Sequence, residues 1–167
     1  MRGLDLVELF DFIDETQADE WEQLRKLHGG NEEDARTKFA DRLAREIDSR
    51  GTVDVLRHGV VDLGVHIRLS FFKPAHGLTP LLGERYAANR LGLTRQLHYS
   101  PRSERSLDVT LSLNGIPVAT AELKNPLTGQ TVDDARRQYE RDRDPRELIF
   151  EFKRRTLVHF AVARAIR

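Results

Sequence analysis

The sequence predicts an α/β fold: a core of helix, three-strand meander, helix and strand, preceded by N-terminal helical additions. Three observations carry this expectation. Residues 4–49 place apolar side chains at helical spacing. Three strand-like runs follow between residues 93 and 124, and the last two are joined by Asn114-Gly115, the strongest short hairpin signal a sequence offers. A helical segment opening at Thr131 and a final apolar run at 157–163 then supply one crossover and one more strand.

In chain order, Leu6, Leu9, Phe10 and Ile13 form one helical face and Phe39, Leu43 and Ile47 another. Trp21, Leu24 and Leu27 fit a short helix between them. Gly29-Gly30 breaks the pattern, and Asn31 is the N-cap expected for the later helix. Val65, Ile67, Leu69 and Phe71 alternate with His66, Arg68 and Ser70, the period of a half-buried strand over 65–71. Thr79-Pro80 reads as an N-cap with proline at the first helical position, and Gly92 as the stop after a helix reaching about residue 91. Strands are expected over 93–99, 107–113 and 116–124, with a polar loop over 100–105. Thr131 and Asp134 make a capping-box-like pair opening a helix to about residue 141, with Val132, Ala135 and Tyr139 inward. The run 157–163 reads as a buried strand. The organisation is a helical portion with one strand over 1–78 and the core over 79–167, together one compact domain, a size that 167 residues can stabilise.

Charge and composition narrow the function. The 27 basic and 27 acidic residues balance, so any nucleic-acid contact is local and not a coating field. Only five of the basic residues are lysines, which makes each worth separate inspection. The absence of cysteine excludes disulfides, thiolate zinc sites and cysteine nucleophiles, and fits a reducing cytoplasm. No apolar run is long enough to span a bilayer, and the N-terminus lacks a signal-peptide pattern, so a cytoplasmic protein without membrane contact is expected. The six histidines show no paired metal-ligand spacing.

The hairpin carries the chemistry. Its strands read Leu107-Asp108-Val109-Thr110 and Ala121-Glu122-Leu123-Lys124, which puts two carboxylates and an ammonium at the end opposite the turn. Hydrolysis of a phosphodiester needs an activated water and stabilised negative charge, and hard cations supply most of both. Mg²⁺ takes oxygen ligands and uses one or two carboxylates, so Asp108 and Glu122 are suitable, with the Leu123 carbonyl as a further ligand. Lys124 follows Glu122 by two residues and shares its face. A Glu-x-Lys triplet arises by chance about 0.4 times in such a chain, and Glu151-Phe152-Lys153 is a second instance without the hairpin context. The competing reading of Glu122 and Lys124 is a same-face salt bridge on an exposed strand.

Register decides whether the carboxylates can meet. A strict two-residue turn pairs Leu113 with Ile116 and Asp108 with Ala121, which leaves Asp108 and Glu122 on opposite faces. A bulge or a three-residue loop would bring Asp108 opposite Glu122, so an irregularity or a bend is expected.

The residues Asn89-Arg-Leu-Gly-Leu-Thr-Arg-Gln96, then 107–118 and Glu122-Leu123-Lys124-Asn125-Pro126, resemble the N-terminal nuclease domain of type I restriction enzyme R subunits, which has the PD-(D/E)xK restriction-endonuclease-like core. The resemblance is carried by residues 86–139, continues through 142–145 and 153–155, and extends weakly back to Leu4. It implies that Asp108 and Glu122 are metal ligands for Mg²⁺ and that Lys124 is the catalytic lysine. It further implies a Mg-dependent endonuclease acting on double-stranded DNA, partnered by the modification (methyltransferase) and specificity subunits of a restriction complex. Gln138 matches the glutamine of a family Gln-x-x-x-Tyr motif, but Asp142 stands where tyrosine is expected, and Tyr139 reads as core. Many members add an upstream helical segment whose glutamate approaches the metal; this chain reads as starting after it, with Glu84 and Glu46 as the substitutes. ATP belongs to the translocase part of such subunits, and no G-x-x-x-x-G-K-[ST] loop is present here. Arg95, Arg102 and Arg105 lie near the catalytic end and are the candidate phosphate contacts. The alternative reading is a catalytically inactive module that binds DNA or partner subunits and retains the nuclease fold.

Overall fold

The computed structural model describes residues 3–100, 103–125, 127 and 129–163. Four helices come first: α1 (Leu6–Thr16), α2 (Ala18–Leu27), α3 (Glu32–Arg50) and α4 (Thr52–His58). Caps set their starts. The Asp5 carboxylate accepts from the Val7 and Glu8 amides, and Asn31 Oδ1 accepts from the Asp34 amide at 3.0 Å. Gly29 and Gly30, both at positive φ, let the chain leave α2.

The apolar stripes of these helices meet in the main core. Phe10, Trp21 and Phe39 stack with ring centroids 5.1, 5.9 and 6.3 Å apart, and Leu9, Ile13, Leu43 and Ile47 extend the cluster. Ile116 of the hairpin is buried in the same cluster, so the sheet and the helices share it. Phe39 is fully buried, and its replacement by alanine is expected to destabilise the protein by about 3–5 kcal/mol. Urea denaturation at constant m-value measures it; a loss below about 1 kcal/mol would show that the aromatic trio does not hold the helices together.

Two short elements, α4 and β1 (Val60–Asp62), are not predicted by periodicity, because neither is long enough to display a period. β1 pairs antiparallel with β2 (Val65–Ile67). The strand expected over 65–71 therefore ends at Ile67, since β1 offers only three partners. Beyond it the Gln17 side chain substitutes for a strand: its amide donates to the Arg68 carbonyl at 2.9 Å and accepts from the Arg68 amide at 2.7 Å. Leu69 stays buried without a ladder.

The second layer contains α5 (Pro80–Ala87), β3 (Leu91–His98), β4 (Ser106–Leu113), β5 (Ile116–Lys124), α6 (Val132–Arg137) and β6 (Val158–Ala163). The four strands form one sheet in the order β3-β4-β5-β6; the first three are antiparallel, and β6 lies parallel to β5. α5 starts at Thr79-Pro80 as the sequence predicts, but it stops at Ala87 and not at Gly92. Asn89 explains the early stop: its side chain binds the Phe71 amide, the Phe71 carbonyl and the Tyr86 carbonyl, and turns the chain into β3. Gly92 is a strand residue.

β6 corrects a further expectation. It is an edge strand with Val158, Phe160 and Val162 exposed, although its apolar run reads as buried. A parallel strand is buried only when layers cover both faces. Among the described residues the sheet face that carries Leu93, Leu111, Leu123 and Phe160 is exposed. Thr131 and Asp134 form the expected capping box, but α6 ends at Arg137 and continues as a π-helical turn, Gln138–Asp142. Among the described residues no helix is long and apolar enough to cross a membrane.

Candidate functional site

The hairpin resolves the register question. Leu113 pairs with Ile116 and Ser112 with Pro117, the register of a two-residue turn, with Asn114 and Gly115 at φ 50° and 77°. Between Leu111 and Ser112 the register shifts: Leu111 pairs with Ala119 and Val109 with Ala121, so Val118 is an extra residue on β5. Pro117 has no amide hydrogen to give the ladder, which favours a bulge beside it. The Val118 carbonyl accepts from the Leu157 amide at 2.8 Å, at the entry to β6. The β4–β5 pairing ends at Val109–Ala121. Beyond it the Asp108 side chain reaches the backbone beside Glu122, and the Asp108 charge acts on the Glu122 carboxyl, so the two carboxylates are neighbours at the open end.

Each carboxylate is held. Asp108 Oδ2 accepts from the Leu123 amide at 2.8 Å and Oδ1 from Gln96 Nε2 at 3.1 Å. Gln96 lies at the β3 position that faces Asp108, where the ladder skips from Arg95–Val109 to Leu97–Leu107 and Gln96 takes φ 51°. Ser106 Oγ donates to Gln96 Oε1 at 2.9 Å and fixes which end of the amide faces Asp108. Glu122 is 1% exposed, and its Oε1 accepts from the Arg143 guanidinium. Burial pushes the Glu122 carboxyl above the usual range, Asp108 adds to that, and Arg143 and Lys124 oppose it. Arg143 is itself buried; it also donates to the Ser106 carbonyl at 2.8 Å and the Tyr99 hydroxyl at 3.0 Å.

Lys124 is half-buried, and its Nζ donates to Gln138 Oε1 at 2.5 Å. Asp108, Glu122, Lys124 and Gln138 are thus brought to one end of the sheet. The amide of Leu123 is directed at Asp108, and in extended backbone the carbonyl of the same residue points to the same side. Tyr139, next to Gln138, points elsewhere: its hydroxyl pairs with Thr120 Oγ1 at 2.9 Å and its ring packs on Phe150 and His159. Burial pushes its phenol up to about 12, so it stays protonated at neutral pH and serves packing.

Other candidates lie differently. Arg95 pairs with Val109, the residue after Asp108 on β4. Arg105 donates to the Asp142 carbonyl and lies beside the site, whereas Arg102 lies outside the described residues. The Glu46 carboxylate is taken by Arg42 at 2.8 Å and Arg50 at 2.9 Å on the helical layer. Among the described residues no third acidic or histidine side chain joins Asp108 and Glu122, so neither Glu46 nor Glu84 completes the pair. Sequence reasoning missed Gln96 and Arg143. Gln96 closes the Asn89–Gln96 stretch that carried the resemblance; Arg143 stands among Arg137, Arg141 and Arg146, and nothing in the sequence separates it from them.

Fold and site together define a mixed α/β protein whose four-stranded sheet gathers two carboxylates, a lysine and a glutamine at one open end. The family model for the type I restriction enzyme R protein N terminus matches residues 78–166, more than half of the chain, and the chain belongs to that family. No curated protein and no solved structure matches it.

Proposed function

We propose that the chain is the PD-(D/E)xK nuclease portion of a type I restriction enzyme R subunit and hydrolyses phosphodiester bonds of double-stranded DNA. The Asp108 carboxylate held on the Leu123 amide, between Glu122 and Lys124 on the neighbouring strand, is the observation that supports this reading best. The donor set suits a hard divalent cation: two carboxylates and the Leu123 carbonyl leave room for the waters that Mg²⁺ retains. Bound there, Mg²⁺ would supply Lewis-acid stabilisation of phosphate charge and lower the pKa of an attacking water.

The chain's own groups do the remaining work. The Leu123 amide and Gln96 fix the Asp108 carboxylate, so it meets a cation without searching rotamers. Gln138 holds the Lys124 ammonium beside the pair, where it orients the attacking water and offsets charge on the phosphate. Arg105, beside the π-helical turn, is placed to contact a DNA phosphate. The modification and specificity subunits of the restriction complex are the partners this reading implies.

The test combines metal binding and cleavage. Calorimetric titration with Mg²⁺ is expected to give a binding isotherm for the wild type and none for Asp108→Asn, with a cooperative thermal melt showing that the variant is folded. Plasmid cleavage is compared in the assembled complex, because the family's cleavage is coupled to translocation by the rest of the enzyme. Metal binding indifferent to Asp108 and Glu122, with cleavage indifferent to substitution at either, would leave a binding module in place of the nuclease.

A further inference from the structure

We propose that Arg143 is a positioning residue for Glu122, and that the π-helical turn Gln138–Asp142 exists to let one helix end serve both halves of the site. This rests on the metal-nuclease reading above. Gln138 reaches Lys124, and Arg143, five residues later, reaches Glu122. In an α-helix residues five apart point about 140° away from one another. Here the Arg143 amide bonds back to the Gln138 carbonyl at 3.1 Å, the i→i+5 closure of a π-turn, which returns the chain to the same side after five residues.

The anchoring of Arg143 argues for a fixed brace and against a cation that merely fills space. Besides Glu122, the guanidinium binds the Ser106 carbonyl and the Tyr99 hydroxyl, and it lies over the Tyr99 ring at 5.3 Å. Those neutral partners hold it whether or not Glu122 changes partner. Its contact with Glu122 is to one oxygen, Oε1, so the carboxylate keeps a second oxygen for a metal. Arginine's planar fork suits several acceptors at fixed angles; lysine's single ammonium does not.

The experiment titrates the full chain with Mn²⁺ by calorimetry for the wild type, Arg143→Met, Arg143→Lys and Glu122→Gln, with thermal melts of each. Arg143→Met is expected to weaken Mn²⁺ at least tenfold. Arg143→Lys, which keeps the charge and serves as the variant that folds if the methionine variant does not, is expected to weaken it several-fold. In both, Mn²⁺ stabilises the fold against heat less than in the wild type. Binding as tight as wild type, or tighter, in Arg143→Lys and in any folded Arg143→Met overturns the proposal and makes the guanidinium a competitor of the metal. If Glu122→Gln abolishes binding in that case, the nuclease reading survives its loss. A wild-type chain that binds no Mn²⁺ removes both.

Discussion

Lys124→Ala is expected to lower plasmid cleavage by the assembled enzyme about 10²- to 10⁴-fold, the range for loss of a positioned proton-handling or charge-stabilising group. Lys124 is no metal ligand in the proposed arrangement: it stands two residues past Glu122, on the same face, and its ammonium is committed to Gln138. The loss therefore falls on the chemical step, and Mg²⁺ affinity measured by calorimetry stays near wild type. Gln138→Ala frees the ammonium without removing it and is expected to lie between the two. A Lys124→Ala enzyme that cleaves within tenfold of wild type would remove lysine from the mechanism.

Gly115→Ala is expected to destabilise the fold by more than about 3 kcal/mol, in spite of adding one methyl group. Gly115 occupies φ 77° at the second centre of the hairpin turn, where an L side chain is strained. A Cβ there would overlap the Asp5 carbonyl oxygen and lie 2.8 Å from the Leu9 nitrogen. Those atoms open α1, and the Asp5 amide donates to the Gly115 carbonyl at 2.8 Å, so neither side can move without breaking a cap. Asn114, next to it, is fully buried: it donates to the Leu69 carbonyl and Asn89 and accepts from the Arg90 amide. A shift in denaturation midpoint at unchanged m-value measures the effect. A loss under about 1 kcal/mol would show that the turn and α1 move independently.

The turn illustrates how much the sequence disclosed and where it stopped. Asn114-Gly115 is legible as a hairpin because two consecutive positive-φ residues have a narrow chemical signature. Its second task, joining the hairpin to α1 and to Leu69, is invisible in the sequence, since Asp5 and Leu69 are brought there only by packing. The caps at Asn31 and Thr131 are legible for the same local reason. The exposure of β6 is not, because an apolar run does not say how many layers will cover it.

At the candidate site the same division holds. Residue identity and local spacing by themselves determined the α/β order, the hairpin, and the candidates Asp108, Glu122 and Lys124. They also required an irregularity if the carboxylates were to meet, from counting alone. Tertiary structure decided where it falls, at Val118 beside Pro117, with the Val118 carbonyl bonded at the entry to β6. It also decided that Gln96 and Arg143, and not Glu84 or Glu46, stand beside the carboxylates. A period or a cap is fixed by atoms a few residues apart, whereas these partners are 12 to 21 residues away and meet only because the sheet and the π-turn fold them together.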